Sequence, residues 1–385
     1  MTVAASRSTP ELVDGTASTA ADHDAATCAI PWSEIARFTV LGVLLLLVWV
    51  MVDVARYGGS NPVSLIQPGT LGPSTGLIAS DFPDIEQPES TGLDGQQYYA
   101  IAREPLHLDR AAEHLDNPRY RLQRPLLPWL AAALHPGGGG VGLVWALFAV
   151  GLAGIVVGAV ASGVLSTIWR GPPWVSMVFP LLPGAWWSLR VTVSDAMALG
   201  LALAAIALAA RNRTAFAALV GVLAVLAKEP AILLLVGWWL HRRTKRDLMV
   251  VAVPAATIVA WMGWLARQLP PDPDRANDLG APFVGLVQAF TDVWSQGHEL
   301  VGMACTLGGL ALGGVALWKR GLRHPLGWAL AIQLAFILVM GVNPTSVNFG
   351  ATRMAMPAMM VAVLALATPN ATSAEVTASG DAPGA

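Results

Sequence analysis

Apolar runs separated by short polar loops recur along almost the whole chain, and this alternation restricts the fold more than any other feature. A bilayer-crossing helix needs about 20 mostly apolar residues. Runs of that character lie at 36–55, 139–168, 174–189, 194–210, 214–228, 230–240, 248–266, 301–318, 325–342 and 354–368. The stretch Pro125–Leu134 is too short to span and reads as an interfacial or re-entrant piece. The expected fold is all-α: a polytopic integral membrane bundle of about 10 transmembrane helices with a long first loop at 56–138. The membrane domain covers 35–368, flanked by tails at 1–34 and 369–385 whose small, polar residues predict disorder. The first apolar run, Phe38–Val54, starts too late for a secretion signal, and no small-residue cleavage site follows it.

Composition supports this class. Only 12% of the 385 residues are charged, against about 25% in a soluble domain. The net charge of −2 says nothing about nucleic acid, and no basic tract suggests such a partner, so none is expected. Cys28 sits in the polar tail and Cys305 in an apolar run, which argues against a disulfide framework or a metal cluster. The fifteen tryptophans gather near segment ends, as interfacial belts do.

The short basic loops set orientation. Trp169–Pro173, Arg211–Arg213, His241–Arg246 and Lys319–His324 all fall on one side of the expected bundle. The positive-inside rule makes that side cytoplasmic, with both termini there, in a multi-pass plasma-membrane protein. The isolated acids and bases then share the other face: Asp195, Lys228, Glu229 and Arg353. Charges at such depths are costly and are usually functional. Their convergence predicts one outward-facing polar cavity.

Several strings carry candidate chemistry. In GLDGQQYYAIA (Gly92–Ala102), Asp94 stands beside a turn-forming glycine and just before Tyr98 and Tyr99. That carboxylate suits a general base or a plain turn ahead of a helix starting near Gln96, and the tyrosines suit a sugar ring or the membrane interface. In DNPRYRLQRPLLPWL (Asp116–Leu130), Arg119, Arg121 and Arg124 form an outer cationic group fitted to phosphate oxygens, as a ligand site or as simple headgroup contacts. Asp195 is a substrate ligand or a first-turn acid favoured by the helix dipole. Lys228 and Glu229, in LAKEP, are a mutual ion pair, or a lysine on a ligand anion with Glu229 orienting it. Arg353 snorkels to the interface or completes the anion site. HELVG (His298–Gly302) lacks the second histidine of a zinc-protease helix, and His107, His114 and His135 have no ligand-like spacing. No metal or cofactor site is predicted.

The order of these strings resembles the C-class (GT-C) membrane glycosyltransferases, in particular bacterial mannosyltransferase-like members. The likeness rests on the long first outer loop with DGQQYYAIA, the YRLQRPLLPWL stretch, the helix SDAMALGLALAAIALAARNR, the LAKEP break and the final ATRMAMPAMM helix. It implies a polyprenyl-phosphate-linked sugar donor, a glycan, lipid or protein acceptor, and inverting transfer on the extracytoplasmic face. It also implies an acid of the first outer loop as base. Asp94 is the best match, with Asp81 and Asp84 as the alternatives. Two other functions use the same charges: transport or flipping of a lipid-linked substrate, and a non-catalytic role in a cell-envelope assembly. A transporter would place polar groups near the midplane on helices broken in both halves of a repeat, and no internal repeat is visible.

Overall fold

The computed structural model describes residues 29–272 and 279–369. The expected tails fall almost wholly outside these, as does Cys28, although Trp32 already opens the first helix. Among the described residues the fold is helical, with a single isolated bridge between Leu279 and Met340.

Helix α1 (Trp32–Tyr57) shows how the chain meets its surroundings. Pro31 precedes it, Gly58 closes it, and its inward stripe is Ile35, Thr39, Gly42, Leu46, Val50 and Val54, spaced three or four apart. Its other flank exposes Val40, Leu41, Leu44, Leu45, Val48 and Trp49. A helix that is apolar on the outside as well as the inside is made for lipid.

The first loop folds into short helices: α2 (Thr75–Asp81), α3 (Asp94–Arg103), α4 (Leu108–Ala112), α5 (Pro118–Leu122) and α6 (Leu126–Leu134). The last is the short apolar piece expected not to span. It packs against α3 and against α7 (Val141–Ile168), the central helix of the bundle. Next come α8 (Val175–Leu181), α9 (Pro183–Arg190) and α10 (Asp195–Ala210). Glycines let α7 and α10 touch backbone to backbone, since a Cβ at Gly200 would lie 2.6 Å from the Gly154 carbonyl oxygen.

Helix α11 (Thr214–Ala227) ends at Lys228, whose backbone is extended at φ −160°, ψ 128°. Pro230, which has no N–H to donate, sits in a short 3₁₀ turn (Glu229–Ala231) that follows the break and leads into α12 (Ile232–Arg242). Thr244 caps α13 (Lys245–Gln268) by accepting a hydrogen bond from the Asp247 N–H. Beyond it lie α14 (Val284–Asp292), α15 (Leu300–Arg320), α16 (Gly327–Leu338), α17 (Val342–Ser346) and α18 (Asn348–Ala367), with α15 packed along α18.

Among the described residues, five helices are long and apolar enough to cross a bilayer: α1, α7, α13, α15 and α18. The other expected spans are shorter helices here. Segment 174–189 is two short helices parted at Leu182, which is extended ahead of Pro183. Helices α10, α11 and α16 are apolar but have only 16, 14 and 12 residues. Of these, α10 lies largely inside the bundle, whereas α11 exposes Phe216 and Leu219.

Candidate functional site

Four chain segments bring charge to one place. Helix α3 begins at Asp94 rather than near Gln96. Gly95 is not there for a turn: it sits inside the helix, and a Cβ on it would lie 2.4 Å from the Val191 carbonyl oxygen and 2.8 Å from that of Ile66. Close approach of two backbones, rather than a special φ, requires glycine. Gly95→Ala is therefore expected to push α3 and its Asp94 off this seat, lowering stability by about 1–3 kcal/mol in thermal unfolding of the reconstituted protein.

The charged side chains form an alternating series. Asp116 accepts from Arg121 at 2.7 Å, and Arg121 Nη1 reaches Asp94 Oδ1 at 2.8 Å. Asp94 Oδ2 accepts from Arg353 Nη1 at 3.2 Å, and the same nitrogen lies 3.0 Å from Asp195 Oδ2. Lys228 Nζ donates to the other Asp195 oxygen. Beside this series, Arg124 Nε donates to Glu229 Oε2 at 3.1 Å. Four carboxylates thus meet four cations, all but Asp116 largely withdrawn from water. Aromatic rings back the guanidiniums: Arg353 lies 3.4 Å over the Phe349 centroid and Arg124 4.3 Å over that of Tyr120.

Burial pushes the Asp94 carboxyl up, but the guanidiniums of Arg121, Arg353 and Arg124 outweigh it and hold its pKa down to about 2. A depressed carboxylate stabilises the fold above its ordinary value of 3.8, and that contribution is lost as the pH falls toward 2. Asp94 is therefore ionised at neutral pH. Arg121, despite desolvation, is held above the usual arginine value by Asp116 and Asp94.

These groups, Asp116 excepted, line a cavity of about 720 Å³. Its remaining wall is mostly apolar, including Leu199, Leu234, Met262, Phe336, Met340 and Met354. Such a space accepts a ligand with an anionic part and a greasy part.

Of the residues expected in a site, Asp94, Arg121, Arg124, Asp195, Lys228, Glu229 and Arg353 all line this cavity. Lys228 and Glu229 do not pair with each other; Lys228 turns to Asp195 and Glu229 to Arg124. Asp195 is the first residue of α10, yet its oxygens go to Arg353 and Lys228 and cap nothing.

Three of the expected ligands, Tyr98, Tyr99 and Arg119, are not among the residues that line the cavity. Tyr98 is buried, and its hydroxyl meets Ser194 Oγ at 2.7 Å, while Ser194 donates to the Ala227 carbonyl at 2.7 Å. The pair ties α3, α10 and the α11 break together, each one residue or one helical turn from a charged group. Tyr99 points elsewhere, donating to Asp81 at 2.6 Å and accepting from the Gly140 N–H at 2.7 Å. Arg119 Nε donates at 2.8 Å to the Leu269 carbonyl, fastening the loop to the end of α13. Asp81 is thereby committed to Tyr99 and Arg103, and Asp84 is exposed away from the cluster. Sequence reasoning missed Asp116 and the cavity-lining glutamines Gln123 and Gln333. Among the described residues, no three His, Cys, Asp or Glu side chains converge in a metal-binding arrangement.

Compared with family models, curated proteins and solved structures, the chain matches none of them.

Proposed function

We propose that this chain is a membrane glycosyltransferase that moves a sugar from a polyprenyl-phosphate donor to an acceptor hydroxyl. The observation that carries this reading is the placement of Asp94 between Arg121 and Arg353 at the wall of a cavity that is otherwise largely apolar. The polyprenyl tail takes the apolar wall, and the donor phosphate takes the cations. Asp94 accepts the acceptor's O–H proton as that oxygen attacks the anomeric carbon. The anomeric C–O bond breaks, and its electron pair leaves on the phosphate, where Arg121, Arg353 and Lys228 stabilise the growing charge.

The paired state of Asp94 fits this sequence of events. With both guanidiniums on it, the carboxylate is a weak base. A donor phosphate that draws Arg353 and Arg121 to itself weakens the field that depresses Asp94. The base strengthens only when the donor is in place, which limits idle chemistry.

The site belongs to the extracytoplasmic face in this reading. Helix α10 runs from Asp195 at the cavity to Ala210, just before the basic turn Arg211–Arg213. Its 16 residues span about 24 Å at 1.5 Å per residue, so the basic loop lies at the opposite end of the bundle from the cavity. The finer topology, with ten membrane passes and both termini cytoplasmic, belongs to the same proposal.

A photoreactive polyprenyl phosphate tests the donor site. It should label Met354, Met340 or Phe336, and excess unlabelled polyprenyl phosphate should suppress the labelling. Labelling confined to the lipid-facing flank of α1 would count against the reading.

A further inference from the structure

Helix α16 has the sequence GWALAIQLAFIL, an apolar run whose only polar side chain besides the Trp328 indole N–H is Gln333. An amide at that depth is unfavourable unless something satisfies it. Gln333 is only 3% exposed and lines the cavity. Its side chain makes no hydrogen bond to any described residue. Gln123, between the cationic Arg121 and Arg124, is 8% exposed, lines the same cavity and is likewise unpartnered through its side chain. The charged groups around Gln123 are saturated by one another, whereas these two amides are not.

An amide offers one carbonyl acceptor and two N–H donors, and it carries no charge. That suits a neutral group that both donates and accepts, which is what a hydroxyl does. It does not suit a hydrocarbon tail, and the cations already serve a phosphate better. We infer that Gln333 and Gln123 are the residues that recognise the hydroxyl groups of the ligand's uncharged polar part. Resting on the proposed function, this assigns them to the sugar of the donor and makes them the determinants of sugar preference. Neither amide is sealed away from the cavity, so a ligand there can reach both.

The test compares two ligands, polyprenyl-phosphate mannose and bare polyprenyl phosphate, binding to the full chain in nanodiscs. The variants are Gln333→Met and Gln123→Met, which keep side-chain length and remove the amide. Each variant should bind the sugar-bearing lipid roughly tenfold more weakly, as expected for losing a good neutral hydrogen bond. Binding of the bare lipid phosphate should stay within about twofold, because the phosphate contacts are untouched. The empty Gln333→Met protein should melt at the wild-type temperature or above it. Equal weakening for both lipids, or a lower melting temperature, would make the glutamines structural and overturn the inference. Unchanged binding of both lipids would overturn it too. If the wild type binds neither lipid, the donor assignment itself fails and the sugar assignment falls with it; binding of both by the wild type separates the two questions.

Discussion

Asp94→Asn is expected to lower sugar transfer roughly 10³-fold, within the range for removal of a general base, while leaving the fold intact. The alternating charge series explains the second half of that expectation. Arg121 keeps Asp116, and Arg353 keeps Asp195, so neither cation is stranded when Asp94 loses its charge. The same substitution frees both guanidiniums for a phosphate. Donor affinity should therefore hold or rise as turnover is lost. Steady-state transfer and equilibrium binding, measured on the same preparation, separate a base from a binding residue. A variant that lost affinity and turnover together would make Asp94 a donor ligand instead.

Arg353→Met is expected to do the converse. Arg353 is the one side chain that bridges Asp94 and Asp195, and it is nine-tenths withdrawn from water. Its loss removes a cation from the donor phosphate and leaves the two carboxylates facing the anion with less compensation. Donor affinity should fall on the order of 100-fold, the effect of truncating one buried partner of a charge pair. Stability should fall by up to about 3 kcal/mol, the lower end for such a deletion, because Asp94 retains Arg121 and Asp195 retains Lys228. Equilibrium binding of polyprenyl phosphate and thermal unfolding check the two parts. A variant that bound the lipid normally would place the phosphate elsewhere.

Much of the site was legible because charge in an apolar chain is conspicuous. Asp195, Lys228 and Arg353 stand out against their surroundings, and each lies in the cavity. Helical spacing, applied more closely, would have sorted the rest. Tyr98 follows Asp94 by four residues and shares its side of α3, which brings it to Ser194, whereas Tyr99 is turned about 100° away. Arg121 and Arg124 are three apart and reach the same cavity, while Arg119, two residues before Arg121, faces the other way toward Leu269. Gln333 was available by the same logic as the charges, as the isolated amide in an apolar helix, but an uncharged group attracts less notice. The partners themselves were not legible. Nothing local says that Lys228 prefers Asp195 to its neighbour Glu229; the extended Lys228 backbone and the packing of α10 against α11 decide it. Which apolar helices cross a bilayer is not legible for a related reason. A helix inside the bundle is apolar on all sides, as a lipid-exposed one is, so hydropathy cannot separate α10 from a full crossing.

The most direct measurement of the central claim follows radiolabelled mannose supplied on polyprenyl phosphate to the wild-type protein and Asp94→Asn in proteoliposomes. The predicted result is label leaving the lipid for an acceptor or for water with the wild type alone. Label that stays on intact polyprenyl-phosphate mannose, bound by both proteins and merely carried to the opposite leaflet, would contradict an enzyme and establish a transporter.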